Sequence, residues 1–292
     1  MNKYLTISNE ALSSAYPDKP FTVRHELSGH PLFSISHLLE LQKVLPPKKI
    51  DYYTGKVDVN TDRSKTTPTG LTPEETIRRI KECESWLVLK NVEQVPEYRQ
   101  LLEECLGSYR PMIEAKTPGI RQLEAWIFIT SPHSIAPYHL DPEHNLLLQI
   151  HGPKTVHIFD SRDPEILSDE ELERYYTAGA ANPKLEYNEA YREKDRVFVI
   201  NPGDGVHIPY TAPHWVKVED EFSISFSVSF YSRACDRRAR LYRFNSRLRW
   251  SGLTPATPGK SPIHDAAKDA VINSYLKIRG LFRPSKKTRS KY

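Results

Sequence analysis

Cysteine is scarce in this chain: Cys83, Cys105 and Cys235 are all there is in 292 residues, widely spaced and odd in number. That argues against a disulfide framework and against a CxxC zinc site, and it fits a reducing compartment. Long apolar runs are missing as well. None approaches the roughly 18 to 20 residues that cross a bilayer. The opening stretch Met1-Asn2-Lys3-Tyr4-Leu5-Thr6 lacks the apolar region of a signal peptide. A soluble, cytoplasmic protein with no membrane partner is therefore expected. There is no internal repeat and no low-complexity segment. With 38% hydrophobic and 27% charged residues, the chain can build a globular core and is not expected to be disordered as a whole. Its length suits one large domain or two small ones.

Acidic residues are nearly absent from one region. From Arg233 to Tyr292 there are 16 Lys and Arg against 3 Asp and Glu, a balance of +13, while the remainder carries −9. A basic segment of this kind binds nucleic acid or an acidic partner, or is simply a solvated tail. No nucleic-acid motif accompanies the charge, which favours the solvated tail.

Periodicity divides the chain in three. Ser36 to Leu45 has leucines at helical spacing and stops at Pro46-Pro47; residues 51–70 read as a polar loop. Thr72, Pro73 and Glu75 spell a helix start with a capping box. Trp86 to Leu89 reads as a short buried strand and Pro96 to Leu106 as a second helix. From about residue 121 short apolar runs alternate with turns: 123–130, 145–150, 155–159, 196–201, 205–209, 214–218 and 222–231. That spacing predicts an all-β sandwich or barrel, interrupted at 168–195 by an insert with a small helix at 168–176. Beyond Ser232 the pattern is helical again, with an amphipathic helix over Ile263 to Phe282 whose apolar stripe either covers the barrel or pairs with a second copy. Pro284 to Tyr292 reads as disordered.

The chemistry lies in His139-Leu140-Asp141 and in His214, which ends the segment Pro202-Gly203-Asp204 to Ile208-Pro209 to Pro213-His214. Two imidazoles and a carboxylate can hold a divalent iron on one face and leave the other face open, the ligand set of non-haem Fe(II) oxygenases. Residues two apart on a strand point the same way, so strand pairing would aim both His139 and Asp141 inward. Lys154 shares a strand face with Val156 and Ile158. On that face it is buried and needs an anion such as the far carboxylate of 2-oxoglutarate; following the turn Gly152-Pro153, it could equally point to solvent.

The stretch from Tyr138 to Phe159, YHLDPEHNLLLQIHGPKTVHIF, together with NPGDGVHIPYTAPHWV, resembles the JmjC, cupin-like Fe(II)/2-oxoglutarate oxygenases, and among them the asparaginyl hydroxylase type. The match spans roughly residues 120–232. The resemblance implies a double-stranded β-helix, or jelly roll, with His139, Asp141 and His214 on iron. It places Lys154, Asn145 and Ser229 around 2-oxoglutarate, with O2 as the oxidant. It also marks departures. A hydroxyl residue common three positions before the HxD is Ala136 here, an Asn on the late strand is Ser229, a Trp is Tyr231, and an aromatic pair before the distal His is Ala212-Pro213. These surround the substrate pocket, for which Tyr138, His207 and Tyr231 are candidates.

His207 is the rival of His214, but its place before Ile208-Pro209 suits a pocket-lining or structural residue. The run Phe222 to Tyr231 alternates strictly. Its serines face either water or, as the resemblance implies, the barrel interior. Three of the four tryptophans, Trp86, Trp126, Trp215 and Trp250, sit in apolar runs or beside an expected strand and read as packing residues. The expectation is a mainly β protein with flanking helices: residues 1–120 as N-terminal α/β elements packed on the core, 121–232 as the jelly roll, and 233–292 as a basic helical segment and tail. The expected activity is Fe(II)/2-oxoglutarate-dependent hydroxylation of a protein or peptide side chain or of a small metabolite. Homodimerisation through the C-terminal helix is compatible with it. The alternative is a metal-binding module without turnover whose basic tail contacts nucleic acid or another partner.

Overall fold

The computed structural model describes residues 4–62, 66–178 and 185–281, without the side chains of Ser108 and of 276–281. The tail expectation at Pro284 to Tyr292 lies outside the described residues. The strands in chain order are β1 (Leu5–Thr6), β2 (Phe21–His25), β3 (Ile50–Thr54), β4 (Ser85–Leu89), β5 (Arg121–Thr130), β6 (Ile135–His139), β7 (His144–His151), β8 (Lys154–Ile158), β9 (Arg196–Ile200), β10 (Asp204–Ile208), β11 (His214–Val218) and β12 (Ser223–Tyr231). The helices are α1 (Ile35–Val44), α2 (Pro73–Arg78), α3 (Pro96–Leu106), α4 (Arg110–Lys116), α5 (Asp169–Thr177), α6 (Arg233–Trp250) and α7 (Pro262–Leu281). Among the described residues no helix is long and apolar enough to cross a membrane.

The chain divides into two compact units, residues 1–167 with 184–235, and residues 168–183 with 236–292. The first holds two antiparallel sheets: an eight-stranded one in the order β1-β2-β10-β7-β12-β5-β4-β3, and a four-stranded one in the order β6-β11-β8-β9. From β5 to β12 the chain changes sheet at each step except between β8 and β9, which pair with each other, as in a jelly roll, and β1 to β4 extend the larger sheet at both edges. The polar stretch expected to be a loop over 51–70 begins with β3, which pairs with β4 at Tyr53 opposite Trp86; edge pairing overrides its weak apolar content. Strand β6 is a second addition. Its proline and its short length gave it no alternation to read.

Alternation along β5, β7 and β12 shows which face meets what. Ala125, Ile127 and Ile129, Leu146, Leu148 and Ile150, and Ile224, Phe226, Val228 and Phe230 share one apolar core with Leu38 and Leu41 of α1 and with Tyr98, Leu101 and Leu102 of α3. The helices therefore cover the outside of the larger sheet. Ser223, Ser225, Ser227 and Ser229 point the other way and are buried all the same, at 6% exposure or less. The water-facing reading of these serines fails because β12 is central, between β7 and β5. Gln149 fastens the far end of this face: its Nε2 donates to the His151 and Gly152 carbonyls (2.8 and 2.5 Å) and to Ser223 Oγ (2.8 Å), and Ser225 Oγ donates to its Oε1 (2.7 Å). Gly152 turns β7 into β8 with φ +65°, and a Cβ there would overlap the Phe222 carbonyl, so the turn requires glycine.

In the second unit α5 starts on the capping box of Ser168 and Glu171. Arg249 of α6 grips Glu173 through Nε and Nη2 at 2.8 and 3.1 Å, and Arg237 donates to Asp269 of α7 at 2.6 Å. On α7, Asp265 and Lys268 are buried while Ile263, Val271 and Tyr275 are exposed. The buried side of this helix is its charged side, the reverse of what the apolar stripe suggested. Arginine-rich α6 offers ion pairs rather than an apolar surface. Trp250 is 92% exposed.

His207, on the outward face of β10, is 1% exposed and stacks on Phe21 with ring centroids 4.7 Å apart. Its Nδ1–H donates to the Lys19 carbonyl (3.3 Å), and its Nε2 lies 3.4 Å from His144 Nδ1. Burial pulls its pKa down to about 4. The unfolded chain, titrating near 6.5, takes the proton first. Stability is thus complete above pH 6.5 and is lost as the pH falls toward 4, by about 1.4 kcal/mol per pH unit within that window. His207→Phe keeps the ring stack and should flatten this acid limb in denaturant titrations. An unchanged slope would assign the acid sensitivity elsewhere.

Candidate metal centre

His139 closes β6 and His214 opens β11, and the two are directly paired across the smaller sheet. Their rings lie 4.2 Å apart between centroids. Asp141 stands two residues beyond the end of β6, in the link to β7, so strand alternation is not what aims it. A loop hydrogen bond is: the Thr211 N–H donates to the Asp141 carbonyl at 2.6 Å, tying this link to the turn that leads into β11. Asp141 Oδ2 lies 3.9 Å from His139 Nε2 and 3.8 Å from His214 Nε2. All three ligand atoms fall within 4.8 Å of one another.

Both imidazoles are set by the main chain. His139 Nδ1 donates to the Pro137 carbonyl (2.6 Å) and His214 Nδ1 to the Ala212 carbonyl (3.0 Å). A proton on Nδ1 leaves the Nε2 lone pair facing Asp141, which is how metal-binding histidines are oriented. Cis ligands at about 2.1 Å from an ion stand about 3 Å apart, so the Asp141 carboxylate needs to close on each imidazole by under 1 Å. The donor set thus fits a divalent transition metal with one face open.

A cavity of about 780 Å3, counting its open mouth, runs inward from the three ligands. Lys154 lies on its wall. It shares the buried face of β8 with Val156 and Ile158, and is only 5% exposed, so the solvent-facing alternative does not hold. Its ammonium sits 5.9 Å over the Phe128 ring. No acidic group pairs with it among the described residues, and burial alone pulls its pKa down to about 7. Asn145 and Ser229 also line the cavity, where Ser227 Oγ donates to Asn145 Oδ1 at 2.8 Å.

The three substrate-pocket candidates fall outside the cavity lining. Tyr138 is buried against Phe159 and Tyr187. His207 faces the opposite side of its sheet, because Val206 and Ile208, its neighbours along β10, take the inward positions. Tyr231 lies under the Arg121 guanidinium, 4.9 Å from ring to Cζ; burial and the nearby Glu143 raise its phenol pKa. Among the lining residues that sequence reasoning did not assign to the site are Trp86, Trp126, Thr130 and Glu143. The two tryptophans, read as packing residues, are wall residues of the cavity. Burial, and next the Asp141 carboxylate, push the Glu143 pKa up to about 8. The alternation Trp126, Phe128, Thr130 against Ala125, Ile127, Ile129 was available as a signal. Both faces of β5 are largely apolar, which hid which one looked inward.

Comparison with known proteins follows the same outline. The profile of the cupin-like domain family matches residues 45–236. Jumonji C domain-containing protein 5 of Drosophila melanogaster is 27% identical over 142 residues, 47% of this chain and 34% of that protein. Lysine-specific demethylase 8 of Danio rerio is 30% identical over 102 residues, 34% of this chain and 24% of that protein. The chain thus spans between about a quarter and about a third of the length of these curated relatives. Among solved structures, YcfD of Escherichia coli superposes with a TM-score of 0.55 at 15% identity, over 98% of this chain and 70% of that one. The complex of YcfD, a ribosomal oxygenase, with cobalt and 2-oxoglutarate gives 0.53 at 14%, over 94% and 67%. At these identities the likeness is one of fold.

The centre predicts a clean contrast in metal binding. His139→Ala, Asp141→Ala and His214→Ala should each weaken Mn(II) binding, read as free-ion signal in electron paramagnetic resonance, by at least about 100-fold, whereas His207→Phe should leave it unchanged. Binding that depended on His207 instead would reassign the third ligand.

Proposed function

The chain belongs to the cupin-like domain family, and from that membership together with the geometry of its centre we propose that it is an Fe(II)- and 2-oxoglutarate-dependent dioxygenase. The reaction is hydroxylation of a substrate C–H bond: 2-oxoglutarate, O2 and R–H give succinate, CO2 and R–OH. Bound iron would supply the activation of dioxygen, whose four reducing electrons come in equal parts from oxidative decarboxylation of the 2-oxo acid and from the substrate C–H bond. The protein's own part is binding, orientation and exclusion of water. His139, Asp141 and His214 would hold the ion from one side. Lys154 would receive the far carboxylate of 2-oxoglutarate, with Asn145 and Ser229 along its flank.

One observation carries this reading: in the same cavity as the three ligands Lys154 is a buried ammonium with no acidic partner among the described residues. A desolvated lysine is unfavourable unless an anion comes to it. A metal-binding module without turnover has no use for that arrangement. A protein or peptide side chain is the proposed substrate. The names of the relatives, a ribosomal oxygenase and a lysine-specific demethylase, lean toward protein rather than metabolite.

Purified protein given Fe(II), 2-oxoglutarate and O2 should form succinate, and His139→Ala and Asp141→Ala should abolish it. Lack of both turnover and anaerobic 2-oxoglutarate binding overturns the proposal. Binding also carries a pH signature. The free ammonium has a pKa of about 7, and a bound carboxylate raises it. Above pH 7 binding therefore takes up a proton, and affinity weakens by up to about tenfold per pH unit. Calorimetry in two buffers of different ionisation enthalpy reads the uptake directly. Lys154→Met should bind 2-oxoglutarate poorly, keep its metal and show no uptake. A variant that binds normally removes Lys154 from the site.

A further inference from the structure

We infer that Thr130 and Trp126, on the larger sheet, complete with Lys154 the pocket for the far carboxylate of the 2-oxo acid, an inference that rests on the function proposed above. Trp126, Phe128 and Thr130 occupy successive inward positions of β5, since Ala125, Ile127 and Ile129 lie in the apolar core on the other side. Lys154 reaches across from the smaller sheet and puts its ammonium over the middle one, Phe128. Inward residues two apart on a strand are roughly 6 to 7 Å apart, so the outer two flank the ammonium.

Both carry an orphan donor. Trp126 Nε1 and Thr130 Oγ1 are buried with no hydrogen-bond partner, and both residues line the cavity. Buried polar groups are nearly always satisfied. Two unsatisfied donors on one strand face, beside an unpaired lysine, call for a shared acceptor. A carboxylate has two oxygens and about four lone-pair sites, enough for an N–H, an O–H and an ammonium together. The wall on the opposite sheet offers no competing donor, since Ala136 of β6 faces the same cavity with a methyl group. Thr130 is held where this requires: it pairs with Ser223 of β12 on one side and Trp86 of β4 on the other, and is 2% exposed.

The test uses the full chain, anaerobic and loaded with Mn(II) or Fe(II), titrated with 2-oxoglutarate and with 2-oxovalerate, which lacks the second carboxylate. Binding is read by calorimetry and by the Fe(II)–2-oxo acid charge-transfer band. Thr130→Val should weaken 2-oxoglutarate about tenfold while leaving Mn(II) and 2-oxovalerate affinity unchanged. Thr130→Ser should bind as wild type. Adding Ala136→Ser to Thr130→Val should recover part of the loss by supplying a hydroxyl from the other wall. In a Lys154→Met background the Thr130→Val penalty should shrink. Should Thr130→Val fail to fold, Trp126→Phe carries the same contrast between the two acids. Equal 2-oxoglutarate affinity in wild type and variants overturns the inference and spares the proposed function. Equal losses for both acids overturn it too, by showing a structural role. A wild type that binds neither acid takes down the proposed function itself.

Discussion

A sheet with its oily face turned outward has to be covered, and that requirement organises the first unit. Strands β5, β7 and β12 put Ile127, Leu148 and Phe226 on the outside of the barrel. Left bare, that side would expose a large apolar patch. Helices α1 and α3 close over it, so the larger apolar core of the unit lies between helices and sheet, while a smaller one, Leu147, Val206 and Ile208 with Val156, Ile158 and Val216, lies between the two sheets. The barrel interior is thereby relieved of supplying most of the hydrophobic driving force. It can hold serines, an asparagine, a glutamine and a lysine, provided each finds a partner or awaits one.

The metal centre uses the smaller sheet for position and the main chain for orientation. Pairing of β6 with β11 brings His139 and His214 side by side, and two carbonyls choose their tautomers. Only Asp141 depends on a loop, and that loop is tied to the next by a short main-chain hydrogen bond. The three donors are therefore arranged before any ion arrives.

Much of the architecture was legible because the strands of the barrel are short apolar runs between turn residues. The strict alternation of β12 and the capping boxes at Thr72 and Ser168 carry direct physical signatures. The ligand set could be read because HxD and a distant His have few uses in such a pattern. Lys154 could be read because a lysine in step with Val156 and Ile158 is conspicuous. What could not be read has a common cause. Which side of β5 looks inward, which way His207 points on β10, and which side of α7 is buried are all decided by the neighbouring element. Alternation names two faces and does not say which one is inside. Thr130 and Trp126 were hidden by that ambiguity, and it also concealed that His207 faces away from the cavity.

The floor of the cavity has a kinetic consequence. Gln149 cross-links the β7–β8 turn to β12 through four hydrogen bonds, bracing the two strands at the end away from the metal. Exposure rises from 4% and 20% for the His214 and His139 side chains to 33% for Asp141. Among the described residues the metal end is the exposed end of the cavity. A molecule that enters there passes the ion site before it reaches the lysine, and whatever sits over that site afterwards bars the same way out. The barrel thus behaves as a cul-de-sac with last-in, first-out traffic, and order of arrival is written into its shape.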